Sequence, residues 1–397
     1  MSEPKIRLAV LFGGRSGEHE VSCQSAASIL VSLDRERYEV LPVRIGRDGV
    51  WASVPAMPDL PTVEEVLRWQ RNGFPEAGDT TPASSILATA RELMWCDVVF
   101  PALHGPCGED GTVQAMLEGL QIPYVGNGVA ASALSMDKEY TKKIAAFAGL
   151  AVAEGVVLRR GQHDLSPEDR DRLGLPVFVK PAREGSSIGV SKVEDWAELP
   201  EAVDRARGSD DKVLVEAAVP GREIDIGVLE RPTGDVEVSP PMEILPSTGH
   251  AFFDYQAKYA DSATVFDVPA RLDPATTHAI GQDALRLFRE LGCSGLLRVD
   301  FFLRPDGTRI LNEVNTFPGF TSVSQYPRMW QAAGLGYGDL LDVLVDTALA
   351  NQRTLRQSDP AHPRVMRFST GERCGARDGA ARWTAVSGSQ GRPGRGL

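Results

Sequence analysis

The sequence predicts a mixed α/β and α+β chain of three lobes: an open, mostly parallel sheet first, then two strand-rich lobes. Three observations carry that expectation. Up to about residue 126, short apolar runs alternate with helically spaced ones, the pattern of a parallel sheet with crossover helices. From about Ala130, a helix leads into a strand, a glycine turn and a polar helix. From Gly221 onward, long strands dominate, two of them flanking Pro305-Asp306-Gly307. The expected divisions are 1–126, 127–219 and 220–350, followed by a tail, 351–397.

Element by element, IRLAVLF (6–12) reads as a buried strand that breaks into GGRSGEHE, and SCQSAASILVSL (22–33) has helical spacing. YEVLPVRI (38–45) and CDVVFPAL (96–103) are further strands; TVQAMLEGL (112–120) is a helix before a strand at IPYVG. A helix over 138–148 precedes the strand VFVK, a glycine hairpin, a polar helix over 195–207 and the strand KVLVEAAV. The third lobe opens with GREIDIGVLE and carries the pair LLRVDFFL and TRILNEVN.

Composition narrows the function classes. Hydrophobic residues make up 42% and charged residues 24% of the 397, as in an ordinary soluble protein. A net charge of −12 argues against nucleic acid and anionic membranes as partners. Five cysteines without paired spacing point to reduced thiols, not a disulfide frame or zinc site. No apolar run is long enough to span a membrane, and glycines follow the start too soon for a signal peptide, so a cytoplasmic protein is expected. Residues 351–397 hold nine arginines, no lysine and three acids, and the end GSQGRPGRGL lacks periodic apolar residues, which reads as disordered.

RVDFFLRPDGTRILNEVN is the most informative segment. If Arg304 pairs with Arg309 across a four-residue loop, Asp300 faces Glu313 and Arg298 faces Asn315. The side-chain period of two then puts all four on one face. Two carboxylates and an amide form a hard-oxygen site suited to Mg²⁺, with an arginine to neutralise developing negative charge. The alternative is an amphipathic hairpin with one wet face.

FVKPAREGSSIGVSK (178–192) places Lys180 at a strand end, before Pro181 and the small residues Gly185, Ser186, Ser187 and Gly189. Such residues let backbone N–H groups approach an anion. The stretch is neither a Walker loop nor a G-x-G-x-x-G fingerprint, and a plain turn is the competing explanation. Lys138, in SMDKEYTKK, can supply a second cation or be a solvent lysine. Glu216, within LVEAAV, can accept from an adenine amino group or a ribose hydroxyl.

Taken in order, LFGGRSGEHEVS, PALHGPCGEDGTVQ, SALSMDK, VKPAREGSSIGVSK, KYADS, LLRVDFF and LNEVNTFPGFTS resemble the ATP-grasp superfamily and, more closely, the D-alanine–D-alanine ligases, from about residue 6 to about 350. The resemblance implies an ATP-grasp fold with a Rossmann-like first lobe, and a homodimer. It implies the ATP-dependent joining of two D-alanines through a D-alanyl phosphate, with two Mg²⁺ or Mn²⁺ ions, for peptidoglycan precursor synthesis. Carried over by residue, it implies that Lys138 and Lys180 hold phosphates while Glu216, Val219 and Glu223 border the nucleoside. Asp300, Glu313 and Asn315 would hold the metals, and Arg298 with the amide of Gly319 would meet the tetrahedral oxyanion. Glu18 would bind the ammonium of the first D-alanine and His104 would lie near its carboxylate. Ser324 would meet the second carboxylate with Gln325 close by. Ser186 would belong to a flap and join Glu18 and Tyr259 in one hydrogen-bonded set. Without the resemblance, Glu18 reads as a first-turn dipole partner, His104 as a structural histidine and Tyr259 as a packing residue.

The sequence departs from the family at Ala217, where many members have lysine, and at Gln325, where the residue is often apolar. The pair Lys258-Tyr259, with no histidine between Phe252 and Pro269, points to the dipeptide rather than the D-alanine–D-lactate depsipeptide. A rival from another class, a nicotinamide-dependent oxidoreductase, is suggested by the opening sheet and Gly13-Gly14, but lacks its fingerprint.

Overall fold

The computed structural model describes residues 4–53, 64, 81–245 and 265–358. The first sheet has the order β3-β2-β1-β4, from β1 (Ile6–Gly13), β2 (Tyr38–Ile45), β3 (Trp51–Ser53) and β4 (Val98–Pro101). Pairs β1–β2 and β1–β4 are parallel and β2–β3 is antiparallel. Alternation along β1 explains its continuous apolar run. Leu8, Val10 and Phe12 enter one core while Ala9 and Leu11 enter another, so both faces are covered. Helix α1 (His19–Ser32) crosses one face, and α2 (Pro82–Leu93) and α3 (Thr112–Gly119) follow. The strand expected at IPYVG is reduced to a single bridge between Val99 and Tyr124.

Residues 127–152, grouped by sequence with the central lobe, pack elsewhere. Helices α4 (Val129–Met136) and α5 (Lys138–Phe147), strand β5 (Ala151–Val152) and the turn before it contribute Leu134, Ala145, Leu150 and Val152 to the core of the third sheet. The central sheet is antiparallel, with β6 (Gly155–Leu158), β9 (Val213–Ala217), β7 (Val177–Pro181) and β8 (Ser191–Val193) in that order. Between these strands lie α6 (Pro167–Leu173) and α7 (Leu199–Arg207); the expected polar helix starts as a short 3-10 turn over Trp196–Glu198.

The third sheet runs β13-β12-β10-β14-β15-β5, with β11 (Val236–Val238) also on β10. Its strands are β10 (Arg222–Glu230), β12 (Met242–Leu245), β13 (Val265–Asp267), β14 (Leu296–Leu303) and β15 (Arg309–Asn315). Helix α8 (Pro274–Glu290) covers one face. Helices α9 (Gln325–Ala332) and α10 (Tyr337–Ser358) share a core with α1, which ties the third lobe to the first. Helix α10 runs past residue 350, so the first eight residues of the expected tail are helical. Its remainder lies outside the described residues. Among the described residues no helix is long and apolar enough to cross a membrane, and the four described cysteines are free thiols.

The β14–β15 hairpin corrects one expectation and keeps its consequence. Gly307 takes φ 84°, Gly307 N–H donates to Arg304 and Arg304 N–H to Thr308, so the turn is one residue shorter than expected. Leu303, not Arg304, therefore pairs with Arg309. An irregularity between Asp300 and Phe301 then inserts one residue on β15 and restores the register. Asp300 still faces Glu313, and Arg298 still faces Asn315.

Candidate active site

Three groups of side chains meet where the lobes converge. The first is cationic. Asp137 caps α5, so Lys138 and Lys142, one turn apart, lie along one helix face. Lys180 ends β7. Lys138 Nζ donates to the carbonyl of Glu184 at 2.6 Å and lies 3.6 Å from Glu313. Lys180 Nζ is 2.6 Å from one oxygen of Glu216, and Lys142 Nζ is 2.5 Å from the other. Burial pushes the Glu216 carboxyl up, but the two ammonium groups outweigh it and hold it at about 2. Burial brings Lys142 down to about 8 despite Glu216. Glu216, expected to accept from a nucleoside, has each of its oxygens against a lysine. Glu223 shares a β10 face with Asp225, and Val219 lies half-buried in the β9–β10 connection.

The second group is the carboxylate face of the third sheet. Arg298 donates to both oxygens of Asp300 at 2.7 Å, and Asn315 Nδ2 donates to Asp300 at 3.0 Å. Asp225, on β10, stands directly across from Asp300. Like charges in that position repel, and Arg298 Nε, 3.5 Å from Asp225, lies between them. Burial pulls the Arg298 pKa down, but Asp300, Asp225 and Glu313 raise it overall. Gln325 was expected beside the second substrate. Its amide accepts from Arg298 at 3.0 Å and donates to Asp225 at 3.0 Å. No three His, Cys, Asp or Glu side chains form a metal cage among the described residues. Asp300, Glu313 and Asn315 nonetheless supply hard oxygens on one face. Asp225 joins Asp300 and Glu313 there, with Arg298 and Lys138 among their cationic partners, a hard-oxygen surface of the kind that suits Mg²⁺.

The third group joins the flap to the first lobe. Ser186 Oγ donates to Glu18, at the N-cap of α1. Ser186 and Ser187 hold φ of 50° and 58°, an unusual left-handed pair that turns the flap tip toward α1. Gly185 permits the approach, because a Cβ there would stand 2.5 Å from Glu18 Oε2. Tyr259, expected to join this pair, lies outside the described residues, as do Lys258 and the rest of that loop.

After β15 comes TFPGF. Phe317 and Phe320 stack with centroids 5.3 Å apart, and Phe100 of β4 packs edge-on against both. His104, expected near a carboxylate, has both ring nitrogens engaged, Nδ1 with Phe317 O at 3.0 Å and Nε2 with Ser25 Oγ at 2.9 Å. Burial holds its imidazole neutral, down at about 4. Gly319 lies against Ser324, whose hydroxyl accepts from Thr321 N–H at 3.0 Å.

Sequence reasoning missed Lys142, Asp225, Glu109 and Ser25. The i,i+4 spacing in KEYTK signals Lys142, and alternation in REIDIG signals Asp225. Glu109 accepts from Gly105 N–H at 2.7 Å and Phe317 N–H at 3.0 Å, and nothing local in GPCGEDG announces that partner 208 positions away.

The chain matches the sequence profiles of the D-ala D-ala ligase N-terminus over residues 7–127 and of the D-ala D-ala ligase C-terminus over residues 144–346. It is 49% identical over 375 residues to a D-alanine–D-alanine ligase of Rhodococcus opacus, covering 90% of this chain and all of that one. Among solved structures, it is similar to the VanG D-Ala:D-Ser ligase of Enterococcus faecalis (34% identity, TM-score 0.73, 87% of this chain and 100% of that one). It is also similar to a D-alanine–D-alanine ligase of Bacillus anthracis complexed with ATP (28% identity, TM-score 0.68, 88% and 99%). The nicotinamide-dependent alternative falls with these matches: the chain has the ATP-grasp fold and belongs to the D-alanine–D-alanine ligase family.

Proposed function

We propose that this enzyme joins two D-alanines with ATP to give D-alanyl-D-alanine, ADP and phosphate, serving peptidoglycan precursor synthesis in the cytoplasm as a homodimer. The observation that carries this reading is the meeting of the lysine cluster and the carboxylate face at Lys138, 3.6 Å from Glu313. A polyphosphate needs the first and its divalent cations need the second.

Lys138 and Lys180 bind the phosphates, with Glu216 holding Lys180 in place beforehand, and Val219 and Glu223 border the nucleoside. Asp300, Glu313 and Asn315 would hold Mg²⁺ or Mn²⁺, which when bound spread the negative charge of the β- and γ-phosphates. Glu18 takes the ammonium of the first D-alanine, whose carboxylate oxygen attacks the γ-phosphorus as ADP departs. The amine of the second D-alanine then attacks the acyl carbon. Arg298 and the Gly319 amide stabilise the resulting oxyanion, and phosphate leaves. Ser324 and Thr321 flank the second carboxylate at the start of α9. The flap, through Ser186, keeps water from the acyl phosphate.

The test is phosphate release from ATP with D-alanine, L-alanine, D-serine or D-lactate, and the product identified by mass. D-alanine alone should support release and give its dipeptide. A depsipeptide or a D-serine product dominating in competition would overturn the substrate choice, and no release with any D-substrate would overturn the ligase reading.

A further inference from the structure

Three first-lobe side chains reach across to one segment of the third lobe, Phe317–Phe320. Glu109 accepts from Phe317 N–H at 3.0 Å. His104 Nδ1 lies 3.0 Å from Phe317 O, so this nitrogen must carry the proton and donate. His104 Nε2 is then an acceptor, and Ser25 Oγ donates to it at 2.9 Å. The same Ser25 oxygen accepts from Phe320 N–H at 3.2 Å. Every donor has an acceptor, and the chain of bonds begins and ends on one loop. A neutral imidazole is required, and burial supplies it by bringing His104 down to about 4. Ser25 is fully buried, so no water competes for its hydroxyl.

The covalent order of this loop sharpens the point. Phe317 N–H is taken by Glu109 and Phe320 N–H by Ser25, and Pro318 has no N–H to give. Gly319 carries the one amide in the segment that the clamp does not engage. We propose that Ser25, His104 and Glu109 are positioning residues that fix the Phe317–Phe320 loop against the first lobe so that the Gly319 amide points at the reacting carbonyl. This rests on the assignment of Gly319 as an oxyanion donor. A displaced donor loses alignment with a developing charge, so the consequence falls on the chemical step rather than on nucleotide binding.

The test uses Ser25→Ala and Glu109→Gln in the full-length enzyme, each first checked for cooperative thermal unfolding. Ser25→Ala removes only a hydroxyl. Glu109→Gln keeps the shape but replaces one acceptor oxygen with an NH₂ group, so the two variants attack the clamp from its two ends. Hydrogen exchange in a 315–322 peptide should quicken about tenfold, the size of one lost buried hydrogen bond. In parallel kcat should fall about tenfold, with KM for ATP within about twofold of wild type. Unchanged exchange in both folded variants overturns the clamp itself. Faster exchange with unchanged kcat overturns the role given to Gly319 while leaving the ligase assignment standing. A rise in KM for ATP matching the fall in kcat/KM, with kcat unchanged, also overturns the proposal, since the loop would then serve nucleotide binding.

Discussion

The lysine cluster of α5 and β7 and the carboxylate face of the third sheet bring opposite charge to the same place, and each keeps its own charge quiet in a different way. At the central lobe, one buried carboxylate, Glu216, is shared by two lysines. At the third sheet, one buried arginine, Arg298, is shared by two carboxylates, with Glu313 beyond them. Each cluster shares its buried charge among opposite partners, lysines around a carboxylate on one side and carboxylates around an arginine on the other. Burying such charges is costly unless a partner arrives. The two clusters are complementary to a nucleotide with its divalent cation, and Lys138 near Glu313 marks where they touch. A site preorganised in this way needs little rearrangement when charge moves during phosphoryl transfer.

The comparison can be broken first at its acidic half. Asp300→Asn should lower D-alanine-dependent ATP turnover by about 10²- to 10³-fold while leaving circular dichroism unchanged. Turnover near wild type would remove the metal assignment. On the cationic half, Lys142→Met should destabilise the fold by about 3 kcal/mol in denaturant titrations, because it strips one partner from a buried carboxylate. Adding Glu216→Gln should recover much of that loss, whereas additive losses would show that the two do not act as a pair.

Acid offers a third test. The Glu216 carboxyl lies at about 2 in the folded chain against an ordinary 4.5. Its stabilisation is thus complete above pH 4.5 and lost as pH falls toward 2, contributing about 3 kcal/mol that Glu216→Gln should delete from the acid-unfolding curve. The smallest effect is on nucleotide affinity in base. With Lys142 brought down to about 8, its loss of charge above that pH leaves Glu216 to Lys180 alone, and KM for ATP should rise several-fold between pH 7 and 9. Lys142→Arg should flatten that rise, since a guanidinium keeps its proton.

How much of this was legible in the sequence depended on range. The β14–β15 face could be read because strand alternation and a Pro-Asp-Gly turn are local. Even there the turn was misjudged by one residue, and an inserted residue on β15, which carries no sequence mark, restored the pairing. The glycine flap was legible as a close-approach element, but its target, Glu18, became specific only through family order. Lys142 was within reach of helical spacing. The grip of Ser25 and Glu109 on Phe320 and Phe317 was not, because it joins residues 295 and 208 positions apart through backbone atoms that every residue possesses. The contacts of His104 and Gln325 were out of reach for a related reason: their polar atoms meet neighbours that only folding brings close.

The most direct measurement is calorimetric titration of a non-hydrolysable ATP analogue, with and without Mg²⁺, into the wild-type enzyme and Asp300→Asn. If the nucleotide and its cation join the two charged halves, Mg²⁺ should tighten wild-type binding by at least about tenfold, and Asp300→Asn should lose that gain while keeping its metal-free affinity. Equal tightening by Mg²⁺ in both proteins, or none in either, would contradict it.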